Sequence, residues 1–213
     1  MRMSQEEKDR SHARIVDSAA KIVRAQGIER PSVADFMNAA GMTHGGFYRH
    51  FETRDDLILA AFEAAAKDHG ATFEQRLEAY GPEIAAATYK ADFLAQGHVD
   101  HPEQGCPLAA LGGDVARGPE ALKTLFGAGV RRSATALAGG MTGSEEERRD
   151  QAFREFAMMV GAVILARAAD PDTARTLMAA CRKGSPQGRL SDTGARPAPK
   201  ARAAAARRTA KSA

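Results

Sequence analysis

The segment Ser32-Val33-Ala34-Asp35-Phe36-Met37-Asn38-Ala39-Ala40, then Gly41-Met42, then Thr43-His44-Gly45-Gly46-Phe47-Tyr48-Arg49-His50-Phe51 decides the fold. Ser32 is placed to cap a short helix. Asp35, three residues on, completes a capping-box pattern with its negative charge at the positive helix end. Val33, Phe36, Met37 and Ala40 supply one apolar face, and Gly41 stops the helix. Thr43 is the N-cap candidate for a second short helix over residues 43–51. Two short helices joined by a tight glycine-containing turn make a helix-turn-helix layout. In that layout the second helix lies in a DNA major groove and offers its N-terminal residues to base edges. Gly45 and Gly46 each cost about 1 kcal/mol of helix propensity. Either the reading helix is poorly formed, or the missing Cβ atoms let its backbone come close to DNA.

Working outward, residues 5–26 form a first helix with Ile15, Ala19, Ile22 and Val23 on one stripe, ended by Gly27. On the other side Asp55 and Asp56 open a long helix over 54–80. Its apolar positions are Ile58, Phe62, Ala65, Phe73, Leu77 and Tyr80, with Gly70 as a point of bending. Gly81-Pro82 breaks the chain. Helices are then expected over 82–97, 108–116, 119–137, 144–169 and 170–182, with 98–107 as a loop. Ala, Leu, Glu and Arg are plentiful and β-branched residues are thin, so the chain reads as all-α with about nine helices. The expected domains are 1–53 (helix-turn-helix), 54–184 (helical) and 185–213 (a basic, disordered tail).

Hydrophobic residues make up 44% of the 213 residues, enough for a core without disulfide or metal staples. Glu6, Glu7, Asp9, Arg14 and Asp17 leave no apolar stretch for an export signal in the first thirty residues. The longest apolar run, 156–166, is too short to span a bilayer. A cytoplasmic location without a membrane partner is therefore expected, with Cys106 and Cys181 as reduced thiols. From Gly184 onward seven basic residues face one acid, a net +6, which leaves the rest of the chain at −3 of the overall +3. Charge alone is then a weak argument for specific DNA binding, and the motif must carry it. The tail is either a solubilising end or a site of non-specific DNA association by counterion release. There is no nucleophile elbow, phosphate loop or HExxH, so neither catalytic residues nor a cofactor are expected, and the chain does not read as an enzyme. His98, Asp100, His101 and Cys106 match no tight zinc spacing, so no metal is expected.

The residues Arg14-Ile15, Ala19, Gly27, Ser32-Val33, Phe36, Ala40-Gly41-Met42-Thr43, Gly46-Phe47-Tyr48-Arg49-His50-Phe51 and Arg54-Asp55-Asp56-Leu57 together resemble the N-terminal domain of the TetR family of transcriptional regulators. The likeness covers about a fifth of the chain. It implies that Thr43 caps the reading helix and holds a phosphate, that His44 and Gly46 with Gly45 stand where bases are touched, and that Tyr48 and His50 contact phosphate or base. Arg49 reaches a guanine or a phosphate, or is a solvated charge. Ser32 holds a second phosphate. Arg54 takes a position usually filled by Lys that contacts the DNA backbone. Ala34 stands where some members use Arg to read a base, so fewer direct base contacts are available. Phe47 and Phe51 read as core.

The same resemblance implies that the rest of the chain binds a small-molecule inducer and forms a homodimer. Phe62, Phe73, Tyr89, Phe93, Leu111 and Phe126 are candidate pocket walls, with Cys106 beside them. Phe156, Ala157, Val160, Gly161, Ile164 and Leu177 are candidates for a four-helix dimer interface, or else plain core. Cys106 lies in Gly105-Cys106-Pro107-Leu108, at a helix start. It is either a small buried residue or, because a helix N-terminus lowers a thiol pKa, a redox or electrophile sensor. The expected function is a sequence-specific regulator, a repressor released from a palindromic operator by its inducer. The alternatives are a thiol sensor on the same scaffold and an architectural protein acting through its tail.

Overall fold

Four of the helices begin with the same device. Ser4 with Glu7, Ser32 with Asp35, Thr53 with Asp56 and Ser144 with Glu147 each form a reciprocal capping box. Each satisfies orphan N–H groups and is worth about 1 kcal/mol over an alanine cap. Asp170 does the same work for the last helix, accepting from the Thr173 N–H at 3.1 Å and from the Thr173 hydroxyl at 2.7 Å. A computed structural model describes residues 4–183, so the expectation for the 185–213 tail lies outside the described residues.

The elements are α1 (Gln5–Gln26), α2 (Val33–Ala39), a 3₁₀ helix (His44–Arg49), α3 (Arg54–Tyr80), α4 (Pro82–Phe93), α5 (Gln96–Asp100), a 3₁₀ turn (Pro102–Gln104), α6 (Pro107–Arg117), α7 (Glu120–Ala138), α8 (Glu145–Ala168) and α9 (Pro171–Lys183). The described residues contain no strand, and the all-α reading stands. Ile15, Ala19 and Val23 of α1 close over Phe36 and Met37 of α2 and over Phe47 and Phe51, forming an N-terminal three-element core. α1 also packs along α3, which leads into the larger helical body. There α3, α4, α6, α7 and α8 surround a second set of buried apolar groups, and α9 lies on α8. α3 runs without a break through Gly70, where the side chain of Arg132 crosses it.

Two expectations from the sequence change here. The reading segment is 3₁₀ rather than α-helical. Gly46 N–H bonds Thr43 O at 3.0 Å and His50 N–H bonds Phe47 O at 2.9 Å. Two adjacent glycines lower the return on propagating an α-helix, and short 3₁₀ stretches tolerate that. The 98–107 loop is instead mostly helical, as α5 and a 3₁₀ turn, because α4 stops at Phe93 rather than Gly97. Its end is fixed by side chains that arrive from elsewhere. His98 takes the Phe93 carbonyl at 2.6 Å and Arg182 takes the Leu94 carbonyl at 2.8 Å. No helix among the described residues is long and apolar enough to cross a membrane.

Candidate functional site

The reading segment sorts its side chains into two layers. Phe47 and Phe51 are buried, their rings 5.7 Å apart. That anchors the segment on α1 and α2. Tyr48, between them in sequence, is 72% exposed and meets Phe47 edge-on. Thr43, His44, Gly45 and Arg49 are exposed beside it. The turn before it needs glycine at Gly41, whose φ is +70°. The two helical glycines differ. Nothing lies within 4 Å of a Cβ built on Gly45, whereas one on Gly46 would touch the Met37 methyl at 3.4 Å. Gly45 therefore opens the outer edge, and Gly46 brings the segment down onto α2.

Four residues expected at this edge behave differently from the expectation. Thr43 occupies the N-cap position but makes no side-chain cap bond. Ser32, exposed, spends its hydroxyl on Asp35 at 2.7 Å, so phosphate would have to share it. Arg54 donates to the Pro31 carbonyl at 3.0 Å and also to the Ile28 carbonyl, with its guanidinium over the Phe36 ring. It ties the start of α3 to the α1–α2 connection rather than standing free. His50 turns inward beside His12, with ring centroids 6.0 Å apart, and both of its ring nitrogens are buried without a hydrogen-bond partner. Burial lowers its pKa. Its expected contact with DNA is not available in this conformation.

The larger body holds two adjoining cavities that share the walls His69 and Tyr89. One, about 60 Å³ and mostly apolar, lies between α3, α4, α7 and the start of α6, and is lined by Phe73, Cys106 and Leu108. The other, about 360 Å³, lies between α3, α4 and the 97–105 segment, lined by Phe93, His98 and Gly105. Of the candidate pocket walls, Phe73, Tyr89, Phe93 and Cys106 line these two cavities, and Phe62, Leu111 and Phe126 line neither. Phe62 and Phe126 pack on each other at 6.2 Å, and Phe62 and Leu111 are fully enclosed. A helical apolar stripe serves core and cavity alike, so spacing does not separate them.

Sequence reading missed the polar groups. The His69 Nε2 lies 3.0 Å from the Tyr89 hydroxyl, which also engages Ser133. Burial pushes His69 down to about 4 and raises Tyr89 well above its ordinary value, so both are uncharged at neutral pH. A signal was present. Phe62, Ala66, His69 and Phe73 follow one another at helical spacing, and the histidine interrupts an apolar stripe. His98 gave no such signal. Its Nδ1–H donates to the Phe93 carbonyl and its Nε2 accepts the Cys106 N–H at 2.9 Å, which fixes it as a neutral tautomer.

Cys106 is fully buried, and burial pushes its thiol up to about 11. A helix N-terminus does not rescue it, because desolvation of the thiolate outweighs the two backbone N–H groups that face it. Among the described residues no His, Cys, Asp and Glu side chains group in a way that would hold a metal ion.

The 97–105 segment, with α3 and α6, also contacts α1. Buried Arg24, near the end of α1, donates to the Gly105 carbonyl at 3.3 Å, and its Nε has no partner. Arg167 of α8 holds the same segment from another side, donating to the carbonyls of His98 at 2.6 Å and Val99 at 3.2 Å. Just past the end of α1, the Ile28 N–H donates to Asp114 of α6 at 3.1 Å. A Cβ on Gly105 would sit 2.5 Å from the His98 ring, so only glycine fits there without a shift.

α8 is apolar on two faces. Ala152, Phe156, Met159, Val163 and Ala166 point inward, and Phe156 meets Phe93 edge-on. Phe156 is therefore core, not interface. The opposite face carries Phe153, Ala157, Ile164 and Leu165, all exposed, with half-buried Val160 and Gly161 beside them and Leu177 half-buried on α9. Leu165 is 57% exposed, and nothing lies within 4 Å of a Cβ on Gly161. Such an exposed apolar strip costs free energy in water.

Comparison with known proteins agrees with this architecture. Residues 15–61 match the family described as bacterial regulatory proteins, tetR family. The HTH-type transcriptional regulator TtgR of Pseudomonas putida is 29% identical over 69 residues, 32% of this chain and 33% of that protein. The HTH-type transcriptional regulator AcrR of Shigella flexneri is 29% identical over 32% of each. The match thus spans about a third of the length of these curated relatives. A TetR transcriptional regulator from Chloroflexus aurantiacus superposes with a TM-score of 0.69 over 92% of this chain and 99% of that one, at 23% identity. A TetR-family regulator from Cytophaga hutchinsonii gives 0.68 over 85% and 94%, at 19% identity. The fold is therefore that of these regulators along nearly the whole chain.

Proposed function

From an N-terminal segment that is that of the tetR-family regulators, carried on the same helical fold, we propose that this chain is a homodimeric, sequence-specific DNA-binding repressor released by a small molecule. The observation that carries the DNA-binding part is Tyr48, outermost on a segment whose flanking Phe47 and Phe51 are buried. Thr43, His44, Gly45, Gly46 and Arg49 complete the reading edge, while Ser32 and Arg54 flank it. Two copies joined through α8 and α9 set two such edges on successive major-groove faces about 34–36 Å apart, so the operator is a partial palindrome. The outer strip of α8 supplies the apolar surface for that joint.

Release works through the 97–105 segment. A ligand that displaces His98 moves the Cys106 N–H and the Gly105 carbonyl with it, and Arg24 then carries the shift into α1 and the reading edge. Arg24 is buried and the Gly105 carbonyl is its hydrogen-bond acceptor, so a shift of that carbonyl is felt at α1. Coupling of this kind is typically about 1–3 kcal/mol. The test is selection of preferred duplexes from a random pool, then footprinting. A discrete palindrome protected by dimeric protein supports the reading, and diffuse protection without sequence preference overturns it. Arg24→Met then separates the parts: the operator is still bound, but a ligand that releases the parent protein no longer does so.

A further inference from the structure

We propose that the larger of the two adjoining cavities takes an uncharged, hydroxylated aromatic molecule, with its rings against Tyr89 and Phe93 and its hydroxyl joined to the His69–Tyr89 hydrogen bond. This names the ligand class for the sensing site and rests on that reading of the site. Three features of the wall carry it.

The first is charge balance. Every polar side chain deep in the wall is neutral: His69 and Tyr89 bonded to each other, Ser133 beside them, and His98 saturated by Phe93 O and Cys106 N–H. The charged groups lie toward the openings and come in both signs. Arg76 is paired with Asp92 at the larger cavity, and exposed Arg132 and Glu74 both line the smaller one. Lys90 is buried on α4 but is paired with Glu155 of α8. Arg24 and Arg167 are spent on backbone carbonyls of the 98–105 segment. The charged side chains lining the two cavities, Glu74, Arg76, Asp92 and Arg132, are two of each sign, so neither an anion nor a cation meets a net counter-charge there, and burying either would cost more than burying a neutral guest.

The second feature is reversibility. Tyr89 and Ser133 can each turn a hydroxyl, and neutral His69 can exchange tautomers, so the group can donate to or accept from a guest. A guest hydroxyl, both donor and acceptor, matches either setting. A carboxylate only accepts and an ammonium only donates. The third feature is the ring enclosure. His69, Phe73, Tyr89, Phe93 and His98 meet one another mostly edge-on at 4.5–6.2 Å. This presents ring edges and faces to a flat guest.

The experiment uses the full-length protein without DNA and four matched probes: 2-naphthol, naphthalene, 2-naphthoate and 2-naphthylmethylamine. Binding is measured by calorimetry and by ligand fluorescence at pH 7. The naphthol should bind at least about tenfold more tightly than either charged probe and than naphthalene. Tyr89→Phe, which keeps the ring and the packing, should erase the preference for naphthol over naphthalene. His69→Gln, which keeps a hydrogen-bonding side chain, should retain part of it. Equal or tighter binding of the carboxylate or amine, no binding of the naphthol, or a naphthol preference untouched by Tyr89→Phe each overturns the proposal. Because DNA is absent, a failed operator selection leaves this result standing. Naphthol binding with no effect on operator affinity would count against the release mechanism and not against the ligand class.

Discussion

The reading edge and the cavity are built from the same pair of residue types put to opposite uses. At the edge, Tyr48 is 72% exposed with His44 in the open beside it. In the cavity, Tyr89 is 5% exposed and bonded to His69. In water a tyrosine hydroxyl and an imidazole are free to meet phosphate and base edges, and neither contributes much to folding. Out of water they must satisfy each other, and burial keeps both neutral. The partner each region suits follows from that difference: a polyanion for the exposed pair, an uncharged guest for the enclosed one.

Mutations can break or sharpen this contrast. The largest effect is expected where the two layers of the reading segment meet. Phe47→Ala should cost about 3–5 kcal/mol of stability and abolish operator binding with it, seen in urea unfolding and gel-shift titration. Tyr48→Ala should leave the melting temperature unchanged and weaken operator binding about tenfold or more, the scale of losing a contact in each half-site. If Tyr48→Ala instead destabilises the fold, the edge is packed and the contrast fails. Tyr89→Phe should do the reverse. It leaves DNA affinity alone and costs about 1–3 kcal/mol of stability by stranding His69, again read by urea unfolding.

The smallest expected effect is a pH dependence. His69 titrates near 6.5 when unfolded and at about 4 in the fold, so between these values the unfolded chain holds the extra proton. Its contribution is complete above about pH 6.5 and is lost as the pH falls toward 4. His50 acts in the same direction. Unfolding free energies measured from about pH 7.5 to about pH 4.5 should therefore fall less steeply in His69→Gln than in the parent.

How much was legible beforehand differs between the two regions for a physical reason. The helix-turn-helix is local. A capping serine with its acid three residues on, a left-handed glycine and a row of aromatic residues lie within twenty positions, and short-range rules place them. The cavity is assembled from α3, α4, α6 and α7, whose mutual placement no short-range rule supplies. Phe62 and Phe73 occupy the same stripe of α3, yet one is core and the other a cavity wall. Likewise α8 is apolar on two faces, and of Phe156 and Ala157, adjacent in sequence, the first is buried and the second exposed.

Sequence alone determined the helical class, most helix starts and the position of the helix-turn-helix segment, because capping, glycine geometry and 3.6-residue periodicity act over a few residues. Tertiary structure alone decided that His50 turns inward, that Arg54 braces the α1–α2 connection, that Cys106 is buried in a cavity wall, and that Arg24 and Arg167 hold one segment from two sides. Those outcomes depend on which distant groups arrive to desolvate or satisfy a side chain, and that is fixed only when the helices pack.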